Sequence, residues 1–276
     1  MILDRIDPTL VTSADCRYGH MMYLSNDRYI GAALARYGEY SESEVAMWRD
    51  LLEPNALAAD VGANLGAHTV ALASLVPQGM VFAFEPLWYL HALALGNVAR
   101  NGHANVRTFH AAAGAEPGQL TIPAMDYTIQ GEHANYGGMS MLGHATGNQV
   151  QVLRLDDVCQ RLDFIKVDVE GMEWQVLQGA QRIIEQHTPI LYVENNPEAG
   201  RPDLISEQQT RLIDQIQELG YDCWWHHALL YNPDNYRHAA PQNDQERFVA
   251  SFNMICLPIH ADNVTALGCT PIARGE

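Results

Sequence analysis

Residues 58–76 read AADVGANLGAHTVALASLV, and the fold turns on how this stretch is parsed. A short apolar run ends in Asp60, a turn holding Gly62 and Gly66 follows, and apolar residues at helical spacing begin at once. The pattern predicts a strand, a tight loop and a helix. Glycines remove side chains where the chain must turn sharply and let a ligand lie against the backbone, while the new helix presents free N–H groups. This is the crossover of a nucleotide-cofactor site; an ordinary strand-to-helix turn is the plainer alternative.

The middle of the loop separates the candidate cofactors. A dinucleotide fingerprint places glycine at its second position so that a pyrophosphate can approach the backbone. Here that position is Asn64, and the third is Ala67. The next apolar run, MVFAF at residues 80–84, ends in Glu85 and Pro86. An acidic residue at the tip of the second strand accepts both hydroxyls of a ribose. S-adenosylmethionine has that ribose and no phosphate. The expected cofactor-binding residues are therefore Gly62, Asn64 and Gly66 beneath the methionine part and Glu85 with Pro86 at the ribose. Asp60 is expected to orient the loop or meet the amino group. A nicotinamide or flavin nucleotide, or no cofactor, are the alternatives at this point.

With 276 residues and 47% hydrophobic content, the chain can bury a full core. A single domain over 1–276 is expected, with 1–40 a lead-in that covers the site and 41–276 the catalytic core. Sixteen basic residues against 33 acidic ones give a formal charge of −17. Such a surface repels nucleic-acid phosphates and anionic membranes, and no basic run offsets it, so no nucleic-acid partner is expected. Solubility is the plainer meaning of the acidity; attraction of a cationic substrate is the other. The cysteines at 16, 159, 223, 256 and 269 are scattered, odd in number and without a Cys-x-x-Cys pair, which suits buried thiols in a reducing compartment and offers no zinc site. The first residues, MILDRIDP, lack a signal pattern, and no apolar run approaches a membrane span. A cytoplasmic location is expected.

Residues 15–30 read as a hairpin or irregular lead-in; its polar groups His20, Tyr23 and Asp27 are structural, as turn and surface residues of this kind mostly are, or else face a substrate. Residues 41–52 read as a helix with a capping start at Ser41 and Glu44 and an apolar face of Val45, Trp48, Leu51 and Leu52. A helix is predicted over 87–100, a strand over 106–112 and an extra strand over 119–122. Residues 126–147 form a long aperiodic stretch containing NYGG at 135–138; loops of this length in compact domains are lids, binding loops or plain surface excursions. Phe164 to Val167 read as a strand whose carboxyl end carries Asp168, Glu170 and Gly171, and the run to Val193 ends in Glu194 and Asn195. Open α/β sheets place their sites at such ends. A helix is predicted over 204–219, followed by strands over 221–230 and 247–257 that suggest a hairpin on one sheet edge. His226 and His227 are neighbours in a strand and point to opposite faces, so they do not share a metal.

Taken together, the chain resembles the FkbM-family S-adenosylmethionine-dependent methyltransferases. The matching residues are DVGANLG at 60–66, AFEP at 83–86, LDD at 155–157, FIKVDVEGME at 164–173 and VLQGA at 176–180, with further likeness in the NYGG loop and in FNMICLP at 252–258. The resemblance spans roughly residues 41–194. It implies an α/β, class I methyltransferase Rossmann-like fold, with a seven-stranded sheet of six parallel strands and one antiparallel, and helices on both faces. It also implies O-methylation of hydroxyls on a small molecule, sugar or glycan.

The sulfonium methyl of that cofactor is already activated, so the protein must align an acceptor oxygen and assist loss of its proton. Asp168, Glu170, Glu194 and Asn195 are the catalytic candidates, one of the carboxylates serving as general base; capping of the following helix by Asp168 or Glu170 is the structural alternative. Asp168, then Glu194 with Asn195, also resemble the Asp, then Asp-Asn, arrangement that holds magnesium in catechol-type methyltransferases, with a longer Glu194 in place of the second aspartate. Mg2+ would accept such oxygen ligands and lower the pKa of a bound hydroxyl. A nicotinamide-dependent oxidoreductase and a non-catalytic cofactor-binding protein are the rival functions.

Overall fold

The structure is a computed structural model that describes residues 4–131, 134–138, 143–196, 206–259 and 268–274. The chain opens with a hairpin of β1 (Val11–Cys16) and β2 (Gly19–Leu24), then α1 (Ile30–Tyr37) and α2 (Glu42–Leu51). The quoted stretch follows as β3 (Leu57–Val61) and α3 (Ala67–Leu75), and the winding continues through β4 (Met80–Phe84), α4 (Trp88–Arg100) and β5 (Val106–Phe109). Three short strands, β6 (Ala112–Ala113), β7 (Gly118–Ile122) and β8 (Asn148–Leu153), make a separate sheet in the order β6-β8-β7. Then come α5 (Leu155–Val158), β9 (Phe164–Val167), α6 (Glu173–Gln178), α7 (Gln181–His187), β10 (Ile190–Glu194), α8 (Glu207–Glu218), β11 (Tyr221–Leu229), β12 (Ala250–Pro258) and the two-residue β13 (Thr270–Pro271).

The main sheet runs β13-β11-β12-β10-β9-β3-β4-β5. Neighbours from β10 through β5 pair in parallel, whereas β12 is antiparallel to both β10 and β11. Apart from the short edge strand β13, this is the expected seven-stranded sheet with one antiparallel member. The late strands pair antiparallel as the expected hairpin on one sheet edge, with β12 beside β10 and β11 outside it, flanked only by the two-residue β13. The chain winds outward from β3 to β5, then starts again on the other side of β3 with β9. Ligands of open α/β sheets bind at the carboxyl ends beside such a reversal.

Strand alternation divides the interior in two. Ala58, Phe164, Tyr192 and Ile255 face one cluster with Val45 and Trp48 of α2, Val70 and Leu72 of α3, and Leu90 and Leu93 of α4. Ala59, Ile165, Leu191 and Met254 face the other with Val176, Leu177, Ile183, Leu212 and Ile216. Helices therefore cover both faces, which is why these strands read as continuous apolar runs.

The structure decides three local readings. Ser41 does start α2, but its hydroxyl donates to Glu44 Oε1 at 2.6 Å and caps no helix N–H. In the lead-in, His20 bonds Asp15 and Ser13, Tyr23 packs in the core, and Asp27 Oδ1 accepts from the N–H groups of Tyr29 and Gly31 at the start of α1. These three side chains hold the lead-in together. Of the helix predicted over 204–219, Glu207 to Glu218 is observed; Leu204 and Ile205 lie outside the described residues, as do residues 132–133 and 139–142 of the long loop.

Candidate active site

A cavity of about 670 Å³ opens at the carboxyl ends of β3, β4, β9 and β10, within the range of pockets that enclose small ligands. Its floor is the loop between β3 and α3. Gly62 has φ +84°, and a Cβ there would come within 1.8 Å of the Asp168 carbonyl oxygen, so only glycine lets this loop cross the end of β9. Asn64 is also left-handed, at φ 52°, and Gly66 caps α3 in the same region. Asn97 of α4 secures the loop from behind: its amide donates to Leu65 O at 2.8 Å, while its carbonyl accepts from Met22 N of β2 at 2.7 Å.

Glu85, just past the end of β4, is 5% exposed and lines the cavity. Its carboxylate accepts from Asn64 N at 2.7 Å and Leu87 N at 2.8 Å, so the loops after β3 and β4 are tied through one side chain. Burial pushes its pKa up to about 7 against the pull of those two N–H groups. Each oxygen retains a lone pair for a hydroxyl donor. Pro86, Phe84, Leu87 and Leu90 surround it, with Ala111 to Ala113 after β5.

Asp60 lies underneath, fully buried. Thr69 Oγ1 donates to its Oδ2 at 2.6 Å, and Lys166 Nζ stands 3.2 Å from its Oδ1. Lys166 is opposite Asp60 in the β3–β9 register, and its ammonium also lies 3.4 Å from Asp168 and 3.4 Å from Gly62 O. Burial opposes that charge, but Asp60 and Asp168 hold its pKa above the ordinary lysine value.

At the other end of the cavity, Asp168, Glu170 and Glu194 bring carboxylate oxygens within 4.8 Å of one another. Asp168 and Glu194 share a side-chain hydrogen bond; burial works against the Asp168 charge, yet Lys166 and this bond keep its pKa below the usual range. Glu194 goes the other way, well above its ordinary value, through burial and the adjacent Asp168 and Glu170 charges. Burial and Asp168 push Glu170 to about 8, and its φ of 54° is a left-handed conformation that a residue with a Cβ adopts at a cost. Neither Asp168 nor Glu170 caps α6; Glu173 Oε1 accepts from Gly171 N instead.

Asn195 is placed on the opposite side. Strand alternation turns its amide into the core, where it donates to Gln209 O at 3.3 Å and contacts Met254 Sδ, and Asn196 returns to the cavity and donates to Glu194 Oε1 at 2.5 Å. The magnesium arrangement drawn from Asp168, Glu194 and Asn195 is therefore not assembled. Asn195 is not part of the acidic cluster, whose third member is Glu170, and Lys166 stands 3.4 Å from Asp168, where it competes with a cation.

Several lining residues carried no sequence expectation. His68, second residue of α3, lies between Tyr40 and Trp48, with ring centroids at 5.2 and 4.9 Å, and burial holds its pKa below the usual value, so the imidazole is neutral. Tyr29, Ile30, Leu230, Val249 and Phe252 form an apolar wall, with Ser251 donating to the buried Glu44 at 3.0 Å behind it. The NYGG loop closes the cavity from above: Asn135 to Gly138 line it, and Gly137 rests against the Asn64 side chain. Lys166 had a visible signal, a charge inside an apolar strand. The wall had none, because its residues come from three distant segments. All five cysteines are buried and free, and no helix among the described residues is long and apolar enough to cross a membrane.

Comparison with known proteins gives the same assignment as the geometry. Residues 60–223 match the model of the methyltransferase FkbM domain. Methyltransferase 1 of Beauveria bassiana (strain ARSEF 2860) is 29% identical over 140 residues, covering 44% of this chain and 56% of that protein. Methyltransferase sdnD of Sordaria araneosa is 26% identical over 167 residues, 49% of this chain and 63% of that one. The matched part thus spans less than two thirds of either relative. Among solved structures, a methyltransferase FkbM from Methylobacillus flagellatus KT superimposes with a TM-score of 0.48 at 19% identity, over 78% of this chain and 48% of that one. The domain match runs from Asp60, at the end of β3, through both carboxylate-bearing strand ends, and covers more than half of the chain: this protein belongs to the FkbM methyltransferase family of S-adenosylmethionine-dependent enzymes.

Proposed function

We propose that the chain transfers a methyl group from S-adenosylmethionine to a hydroxyl oxygen of a small molecule or glycan. The observation that carries this reading is a single cavity with an acceptor-only carboxylate, Glu85, at one end and the Asp168, Glu170 and Glu194 cluster at the other. The residues present suit this cofactor and not a dinucleotide. The second position of the loop is Asn64, whose side chain occupies the place where a dinucleotide site uses glycine to bring a pyrophosphate against the backbone, and the one lysine among the described lining residues is engaged by Asp60 and Asp168. Negative charge at the far end suits a sulfonium and an ammonium.

When bound, S-adenosylmethionine supplies a methyl group on a positively charged sulfur, ready for displacement. Glu85 would hold the ribose hydroxyls, with Pro86 beside it. Gly62, Asn64 and Gly66 would support the methionine part, and Asp60 would keep that loop in place through Thr69 and Lys166 without touching the ligand. The carboxylate cluster would take the proton that the acceptor hydroxyl gives up on methylation. Because Asp168 and Glu194 share a hydrogen bond, the cluster titrates as a unit, and Glu170, near 8, is the member best matched to neutral pH. Asn196 takes the place expected for Asn195, orienting Glu194.

Calorimetric titration with S-adenosylhomocysteine tests the cofactor half of this reading: micromolar binding is expected, and binding of NADH in its place would overturn it. Methyl transfer to hydroxyl compounds, lost in Glu170→Gln and Glu194→Gln with cofactor affinity retained, tests the catalytic half.

A further inference from the structure

We infer that the acceptor is an uncharged or cationic hydroxyl compound with an apolar face, and that the acceptor end of the cavity excludes phosphate- and carboxylate-bearing substrates. This deepens the proposed methyl transfer and rests on it. Four carboxyl side chains line the cavity, at Glu85, Asp168, Glu170 and Glu194. Against them, among the described lining residues, stands one ammonium, Lys166, whose side chain is 3% exposed and which is already committed to Asp60, Asp168 and Gly62 O. The one lining imidazole, His68, is buried and neutral. A fifth carboxylate, Glu44, sits directly behind Ser251.

Beside these groups the described lining holds the apolar residues Ile30, Leu230, Val249 and Phe252 with Tyr29, and its neutral polar groups Asn196 and Ser251 are bonded to Glu194 and Glu44. Phe252 adjoins the carboxylates directly, since its backbone N–H donates to Asn196 Oδ1, and Asn196 in turn holds Glu194. An anionic acceptor would therefore shed its water shell and meet, in place of counter-ions, the carboxyl groups of Asp168, Glu170 and Glu194, whose crowding already resists further negative charge at this end of the cavity. In a partly desolvated site, a unit charge about 5 Å from another changes affinity on the order of ten- to a hundredfold. The same arrangement tolerates a neutral hydroxyl and favours an amine. Phosphorylated sugars, nucleotide-linked sugars and RNA fall in the excluded class.

The charge preference at the transfer position is measurable without knowing the acceptor. The full chain is titrated calorimetrically with two pairs of cofactor analogues. S-adenosylhomocysteine is compared with sinefungin, which carries an ammonium where the methyl stands; S-adenosylmethionine is compared with its S-carboxymethyl counterpart, which adds a carboxylate there. The ammonium should tighten binding about tenfold or more and the carboxylate weaken it by a similar factor, and Glu170→Gln should narrow both gaps. A carboxylate analogue that binds as tightly as S-adenosylmethionine, or an ammonium that brings no gain, overturns the inference. Failure of all four to bind would instead remove the cofactor reading on which it rests. In a second arm, hydroxyl compounds are offered beside their phosphate monoesters: methylation confined to the unphosphorylated members supports the inference, and equal kcat/KM for any phosphate ester refutes it.

Discussion

Replacing Lys166 by methionine keeps the volume of the side chain and removes its charge. In the native protein the ammonium is 3.2 Å from Asp60 and 3.4 Å from Asp168, with Asp60 fully buried. Removing one partner of a buried ion pair leaves uncompensated charge and costs about 3–5 kcal/mol. For a chain of this size each kcal/mol moves Tm by roughly 2–4 °C, so a fall of about 6–20 °C is expected. The pH dependence identifies the cause. The native Lys166 pKa is raised, so its stabilisation is present below the unfolded lysine value and is lost only at higher pH. The native Asp168 pKa is lowered, so its contribution is present above the unfolded value and is lost on acidification. In the variant Asp168 loses the neighbouring cation that holds its pKa down, so its pKa rises and its protonation relieves part of the penalty. Thermal melts of the two proteins should therefore differ most at pH 8 and converge toward pH 5. A loss below about 1 kcal/mol, or one unchanged between these pH values, would refute the ion-pair account.

Other consequences follow from the same geometry. Glu85→Ala should weaken S-adenosylhomocysteine binding at least thirtyfold, or about 2 kcal/mol, by removing hydrogen bonds to a charged acceptor; an unchanged calorimetric Kd would exclude the ribose assignment. Because burial pushes Glu85 to about 7 and ribose hydroxyls bind its ionised form, affinity should rise as pH increases from 6 to 8. The stability linkage has the opposite sign, since a carboxyl with a raised folded pKa destabilises progressively as pH rises from its unfolded value through 7; Kd values that do not change over this range would contradict the assignment. Gly62→Ala forces a Cβ into the Asp168 carbonyl at φ +84° and should cost more than the roughly 1–3 kcal/mol of backbone strain alone. Its urea midpoint should fall accordingly, and a wild-type midpoint would show that the loop is free to move off β9.

How far the site was legible depends on how local its determinants are. The loop between β3 and α3, Glu85 at the end of β4 and Asp168 at the end of β9 each follow from a strand, a turn and a terminal acidic residue within about ten positions of one another. They could be read directly. Asn195 was misread for a related reason: alternation is reliable within a strand, but beyond Glu194 the chain continues the same alternation, which sends Asn195 to α8 and Asn196 to the cavity. Ser41 shows that a capping sequence competes with a nearby carboxylate for the same hydroxyl, and the buried Glu44 wins. Lys166 and Asp60 are 106 positions apart and become partners only through the β3–β9 register, so neither side chain's sequence neighbours announce the pair. The apolar wall is the extreme case. Phe252 reaches the cavity because β12 inserts antiparallel beside β10, and Tyr29 because the lead-in folds back over the sheet. Strand ends and glycines repeat wherever this cofactor chemistry is needed, so they are written locally. The wall is assembled from segments that the fold alone brings together, which is why the loop after β3 was readable from the sequence and the wall was not.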